Sequence, residues 1–189
     1  MTTEIQSPER GLVLLPIARA AIARALNVPL VADETASWLA EPGACFVTLT
    51  QHGELRGCIG TLQAHRSLLD DVKSNAVSAA LRDPRFSPLC KDELGITAIE
   101  ISLLSPTEPM VYKNETDALA QLRPGEDGVV FEFRHYRSTF LPQVWEQLPE
   151  PRQFMAHLKQ KAGLPSDFWA DGIKLSRYTV TKWREQPTS

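Results

Sequence analysis

The clearest alternation of apolar and polar positions along the chain lies in residues 67–83, SLLDDVKSNAVSAALRD. Apolar residues recur there at the three- and four-residue spacing of one helix face, and Ser67 followed by two aspartates is typical of a helix start. We predict a helix over this segment that Pro84 ends. The same spacing predicts a helix that begins at Ser7 and Pro8 and contains or is shortened by Pro16, and further helices near 115–122 and at 151–163.

Apolar residues that alternate with a period of two predict the strands. His52-Gly53 and His135-Tyr136 are typical of tight turns between neighbouring strands, and a two-residue turn at His52-Gly53 would place Val47 opposite Cys58. Helices and strands interleave along the chain, but hairpins are frequent. We therefore predict an α+β fold with a mixed β-sheet flanked by helices, whose strands lie at 44–50, 55–61, 96–104, 127–134, 138–141 and 173–183.

Length and charge limit the class of protein. The 189 residues suit one domain or two closely packed lobes, and the net charge of −3 offers no electrostatic attraction for nucleic acid or an anionic membrane.

The N-terminal residues lack the features of a secretory signal, and no segment is apolar enough to span a membrane. Three cysteines without a dense framework favour the reducing cytoplasm. The cysteine spacings match no zinc pattern and the histidines are scattered, so nothing local argues for a metal, and we assign no metal ligand and no cofactor.

The stretch ELRGCIG, residues 54–60, is the main candidate for chemistry. With the predicted turn, Arg56, Cys58 and Gly60 would share one face of a strand, and the guanidinium would favour the thiolate of Cys58. Gly57 and Gly60 would leave backbone amides open to an anionic or carbonyl group. Cys58 could thus be a nucleophile or a ligand-binding residue. It could equally be a small apolar residue of the core, since free cysteines are often buried.

Supporting polar residues lie elsewhere in the sequence. His65 is the nearest histidine and is predicted in a loop, while Glu100 lies on the polar face of its strand. Asp83 stands at a helix end, where its charge opposes the helix dipole, so we expect another contact to hold it. Arg85 could pair with Asp83, with Glu100 or with a substrate acid. Phe86 is predicted to be buried and to fix this loop.

Six segments together resemble one family. The chain is similar to the AMMECR-type domain over residues 8–184, in the segments LRGCIGTL, DPRFSPL, IEISLLSP, DGVVFEF, TFLPQVW and KAGLPSDFW. The resemblance implies an α+β fold with two unequal, intimately packed lobes, in which residues 8–184 form one domain and 1–7 and 185–189 are tails. It also implies a stand-alone bacterial or archaeal protein, protein A of the AmmeMemoRadiSam system, which works beside a Memo-like protein and a radical S-adenosylmethionine enzyme.

Two classes of function follow from these residues and from the resemblance. The first is an enzyme or enzyme subunit that handles a small molecule or a peptide. The second is a non-catalytic binding or scaffold module for the partner proteins, in which ELRGCIG is architectural. For the first class, the candidate catalytic residues are Cys58, Glu100 and His65, and the candidate ligand-binding residues are Arg56, Gly57, Gly60 and Arg85.

Overall fold

The computed structural model describes residues 7–186 of the chain. The helices are α1 (Pro8–Ala25), α2 (Leu68–Leu81), α3 (Glu115–Gln121) and α4 (Pro151–Ala162). The strands are β1 (Ala44–Gln51), β2 (Glu54–Gly60), β3 (Thr97–Leu104), β4 (Glu108–Pro109), β5 (Gly128–Phe133), β6 (Tyr136–Phe140), β7 (Lys174–Tyr178) and β8 (Val180–Arg184). The chain divides into two compact units, Met1–Ser105 with Thr181–Ser189, and Pro106–Val180.

The first unit is a four-stranded sheet in the order β2-β1-β3-β8, with α1 and α2 packed on one of its faces. Alternate residues of β1 and β3 point to these helices and most of them are buried, as in Val47, Leu49 and Ile101. Apolar residues of α1 and α2, including Leu14 and Val72, complete this core. Their burial, at about 25 cal/mol per Å², is what holds the helices on the sheet. The other face of the sheet carries the alternate side chains.

The hairpin of β1 and β2 contains a bulge that the sequence pattern did not predict. His52 and Gly53 form the expected two-residue turn, with φ angles of 52° and 83°. The register then shifts between Leu49 and Thr50, so that Arg56 is an extra residue on β2. Cys58 is therefore opposite Thr48, and the predicted pairing with Val47 was wrong by one residue.

The second unit is a sheet in the order β4-β7-β5-β6 that packs against α3 and α4. Its core is aromatic: the rings of Trp145 and Phe154 stack with centroids 3.8 Å apart, beside the buried Phe131. Lys159 of α4 is also buried, and its ammonium group donates to Glu115 of α3. Pairing a buried charge in this way offsets its desolvation, so Lys159 has a structural role.

The α+β class is confirmed, and the strands form two antiparallel sheets where we expected a mixed one. The long last strand that we predicted is divided, with β7 in the second sheet and β8 in the first. Helix α1 runs through Pro16 without a break, and α2 ends at Leu81, before Pro84. None of the helices within residues 7–186 is both long and apolar enough to cross a membrane.

Residues at the ends of the described chain take part in the fold. Ser7 caps α1, and the main chain of Glu185 bonds to Ile99 while its carboxylate accepts from Arg19. Ser7 and Glu185, which we had placed in the tails, therefore make contacts with the described fold. Positions 1–6 and 187–189 lie outside the described residues.

Candidate functional site

The face of the first sheet that points away from α1 and α2 carries a row of polar side chains. Thr48 of β1 is paired with Cys58 of β2 on one side and with Glu100 of β3 on the other. Residues directly opposite one another in a sheet point to the same face. The Cys58 Sγ lies 3.3 Å from the Thr48 Oγ1, and the three residues are all half-buried. Thiol, hydroxyl and carboxylate thus share one surface across three neighbouring strands.

The carboxylate of Glu100 has no hydrogen bond or ion pair with any residue in the range 7–186. Most half-buried carboxylates in a folded protein are held by a donor, because an unpaired charge loses hydration. Glu100 therefore differs from Asp71, Asp83 and Glu93, which are all held by arginines. Among these acids, it is the one available to accept a proton or a ligand donor.

Asp83 and Arg85 fix the main chain of Cys58. Because β2 is an edge strand, the outer N–H and C=O groups of Cys58 have no neighbouring strand to bond to. The Asp83 Oδ2 accepts from the Cys58 N–H at 2.9 Å, and the Arg85 Nη2 donates to the Cys58 C=O at 3.3 Å. Arg85 also donates to Asp83 at 2.7 and 3.0 Å, and this pair, with the Cys58 N–H, holds the pKa of Asp83 well below its usual range.

This clamp is the additional contact that we expected for Asp83, and it answers the question of what Arg85 binds. The side chain of Asp83 is 2% exposed, whereas that of Arg85 is 53% exposed. Asp83 and Arg85 together imitate the hydrogen bonding of an adjacent strand, so they position the Cys58 backbone. The clamp stiffens the segment that carries the thiol.

Arg56 lies on the other face of the sheet, so our prediction that it shares a face with Cys58 was wrong. Its guanidinium donates to Glu93 at 3.1 and 3.2 Å and to the Ser87 C=O at 2.9 Å. Glu93 also accepts from Gln51, which is in register with the helix-side residues of β1. The bulge is the cause, because the extra residue reverses the alternation between Leu55 and Gly57.

Glu93 is strongly held where it meets Arg56. The backbone N–H of Cys90, then the guanidinium of Arg56, lower the pKa of Glu93 to about 2. The charge of Arg56 is therefore matched by a nearby carboxylate. The structure offers no basis for Arg56 as the group that activates the thiol.

The two glycines of the motif are explained by close packing, and the amide that we expected to be open is occupied. A Cβ on Gly57 would meet the main-chain oxygen of Ala79 in α2 at 2.2 Å. A Cβ on Gly60 would meet the ring of Phe46 at 2.2 Å. The Cys58 N–H between them donates to Asp83. Both glycines thus allow a neighbour to approach the strand, as glycines in strands often do.

The remaining predicted residues are less closely connected to the thiol. His65 lies in an exposed loop, where its Nδ1 is 3.2 Å from the Gln63 C=O, and no described contact joins it to Cys58. Phe86 is half-buried, so the prediction of a buried ring was wrong. Its ring lies 5.5 Å from the guanidinium carbon of Arg85, a member of the clamp.

The other two cysteines differ from Cys58 in their surroundings. Cys45 is fully buried, and this burial raises the pKa of its thiol well above the ordinary value. Its main chain is held by Asp71 and Asn75 of α2, at 2.9 and 3.0 Å. Cys90 is exposed. The three thiols therefore include one buried, one half-buried and one exposed example.

Sequence reasoning missed three residues of this face. Thr48 and Thr50 show the polar half of the strand alternation, which could have drawn attention to them. Arg184 of β8 donates from its Nη2 to the Thr50 Oγ1 at 3.0 Å, although the two residues are 134 positions apart.

No group of three or more histidine, cysteine or acidic side chains that could hold a metal ion occurs within the described range 7–186.

The geometry defines an α+β protein with a clamped thiol on the polar face of an antiparallel sheet. The AMMECR1 family profile matches residues 15–183, and the chain belongs to this family. Protein MJ0810 of Methanocaldococcus jannaschii is 34% identical over 182 residues, covering 94% of this chain and 90% of that protein. A protein of Aeropyrum pernix is 36% identical over 188 residues, covering 93% of this chain and 78% of its own.

The fold is also similar to a solved structure. The crystal structure of protein PH0010 from Pyrococcus horikoshii superposes with a TM-score of 0.77 and 29% sequence identity. The match covers 96% of this chain and 94% of that one. The family profile and the archaeal relatives confirm the family resemblance seen in the sequence motifs.

Proposed function

We propose that this protein is an enzyme or enzyme subunit that acts on a small molecule or a peptide, with Cys58 as its nucleophile. The observation that carries the proposal is the row formed by Cys58, Thr48 and the unpaired carboxylate of Glu100. Covalent catalysis by a thiol requires a nucleophile and a base, and the Thr48 hydroxyl lies between these two groups on one half-buried surface. The main-chain clamp favours the same function, since it limits the movement of the reacting group.

The reaction class is attack by sulfur on an electrophilic carbon. The Cys58 Sγ forms the new bond to carbon as the bond from that carbon to the leaving group breaks. Cys58 and Glu100 lie on strands that are two spacings of about 4.8 Å apart, with β1 between them. The thiol proton therefore passes to Glu100 through the Thr48 hydroxyl or a water. The leaving group receives that proton as it departs, and water then releases the product from the sulfur.

Alkylation with iodoacetamide tests the nucleophile. The folded protein is labelled at neutral pH, and the rates at Cys45, Cys58 and Cys90 are followed by mass spectrometry of their peptides. We expect Cys58 to react faster than Cys90, although Cys90 is the more exposed thiol. Glu100→Gln and Thr48→Val should slow Cys58 by roughly threefold or more and leave Cys90 unchanged.

Arg56→Ala is the matched control for charge. Because the guanidinium of Arg56 is paired with Glu93 on the opposite face, its removal should leave the rate at Cys58 within about twofold. A Cys58 that labels no faster than Cys90, in a protein shown to be folded by circular dichroism, would contradict the proposed nucleophile.

A second function is favoured by the packing of the motif. Both glycines and the Cys58 amide have structural partners, which is what an architectural hairpin in a binding or scaffold module would show. The partners would be a Memo-like protein and a radical S-adenosylmethionine enzyme. Co-purification of the three proteins by size exclusion tests this function. Complex formation that Cys58→Ser leaves intact, together with an unreactive Cys58, would favour the module over the enzyme.

A further inference from the structure

Arg184 differs from the other arginines around the site in having no acidic partner. Arg56 and Arg85 are each held by a carboxylate, whereas Arg184 donates to the hydroxyl of Thr50 and forms no ion pair with any residue in the range 7–186. Its side chain is on the same face as Cys58, since Thr50 lies two residues from Thr48. The preceding residue, Trp183, packs against Gly11 of α1 on the opposite face, as strand alternation requires.

The guanidinium opens into a cavity of about 1010 Å³ within the first unit. Among residues 7–186, one acid lines this cavity, and its charge is already paired: Glu185 accepts from the Arg19 Nε at 2.7 Å and from its Nη2 at 2.5 Å. The hydroxyl of Thr50 and the main chain of the β1–β2 turn supply further donors. The lining residues that carry the argument are Arg19, Thr50, His52, Gly53, Arg184 and Glu185.

The charges around this position favour an anion. Lys182 is exposed and lies two residues before Arg184 in β8, so it shares its face. Glu100 is the one carboxylate of the row, and it forms no ion pair with Arg184. A planar guanidinium without a carboxylate, next to a hydroxyl in a concave surface, has the chemistry that binds carboxylate or phosphate.

We infer that Arg184 and Thr50, with the turn at His52 and Gly53, bind an oxyanion group of the ligand. This inference rests on the proposed function only in placing the reacting carbon at Cys58. Cys58 is directly opposite Thr48, so Thr50 is its diagonal neighbour across the β1–β2 pair, and such neighbours lie about 7–8 Å apart. The substrate class is therefore a small molecule or peptide that carries a carboxylate or phosphate about 7 Å from its electrophilic carbon.

Titration of the ¹⁵N-labelled full chain with inorganic phosphate, and separately with acetate, tests the anion site. Ionic strength is kept constant with chloride, because screening would otherwise change with each addition. We expect saturable shifts of the amides of Thr50, His52 and Gly53. Arg184→Gln should weaken binding by roughly fivefold or more, while Arg24→Gln, which removes an exposed arginine of α1, should leave it within about twofold. The tighter of the two anions identifies the chemistry of the ligand.

The link to the thiol is tested with two alkylating reagents of matched reactivity. N-iodoacetyl-β-alanine places a carboxylate about 7 Å from the reacting carbon, and its methyl ester is the neutral control. We expect the ratio of acid to ester labelling at Cys58 to exceed that at Cys90 by roughly threefold or more, and Arg184→Gln to abolish the difference. The ratio cancels the intrinsic reactivity of each thiol.

The outcomes separate this inference from the proposed function. Absence of saturable shifts, or shifts that Arg184→Gln leaves unchanged, would overturn the anion site even if Cys58 is highly reactive. Saturable binding beside an unreactive Cys58 would leave the anion site standing and remove the nucleophile. Equal acid-to-ester ratios at Cys58 and Cys90 would show that the anion site does not serve the thiol.

Discussion

Gly57→Ala tests whether the motif's first glycine serves the packing of α2 on β2. An added Cβ would lie 2.2 Å from the main-chain oxygen of Ala79 and 3.0 Å from its carbonyl carbon, whereas ordinary contact begins at 3.4 Å. The obstacle is helix backbone, so no side-chain rotation can relieve it, and the helix or the strand must move. Overpacking of a core typically costs about 1–3 kcal/mol, and we expect the upper end of that range.

The free energy of unfolding should therefore fall by about 3 kcal/mol, measured by urea unfolding with an unchanged m-value. For a chain of this size, the Tm would fall by about 6–12 °C. Gly95→Ala is the matched control, because nothing lies within 4 Å of its Cβ position and the residue is exposed. Its effect should stay within about 0.5 kcal/mol.

A Gly57→Ala protein whose free energy of unfolding equals that of the wild type would refute this reasoning. The close approach of α2 would then not require a glycine, and a ligand-binding role for the residue would again be the better explanation. Gly60→Ala gives an intermediate case. Its obstacle is the ring of Phe46, a half-buried side chain that can turn aside, so we expect a smaller loss than for Gly57→Ala.

Two further predictions concern buried and half-buried acids. Asp71→Asn should cost about 3–5 kcal/mol of unfolding free energy, because the buried carboxylate pairs with Arg66 and accepts hydrogen bonds from the Cys45 N–H and the Thr61 hydroxyl. Urea unfolding measures this loss, and Asp92→Asn, at an exposed site, is the control. For Glu93, the pKa is about 2 in the fold and 4.5 ordinarily, so its stabilisation is complete above pH 4.5 and is lost as the pH falls towards 2. Glu93→Gln should flatten the fall in Tm across that window, and an unchanged profile would contradict the assignment.

The predicted helices and most strands were recognisable because their signals are local. Residues 67–83 carry the cap and the apolar face of α2, and the alternation in 44–50 and 96–104 shows which side of each strand meets the helices. Burial of every second residue then follows from the strand geometry. The motif ELRGCIG could also be identified as unusual from its own letters.

The details of the site depended on contacts between distant parts of the chain. A bulge is one extra residue in a strand, and nothing in the local pattern showed that Arg56 would be that residue and would turn towards Glu93. Two glycines in a strand predict that something approaches closely, but they do not identify it. The structure shows that Ala79 and the ring of Phe46 fill those spaces.

The sequence by itself determined the α+β class, the helix ends and the thiol as the residue to examine, since propensity, period and capping act over a few residues. Only the tertiary structure decided which groups surround that thiol. Thr48 and Asp83 meet Cys58, and Glu100 meets Thr48, through strand pairing and helix docking, while Arg184 reaches the same face from 134 residues beyond Thr50. Such meetings are set by the burial of the whole core and the register of the sheet, which depend on many residues at once and have no local signature.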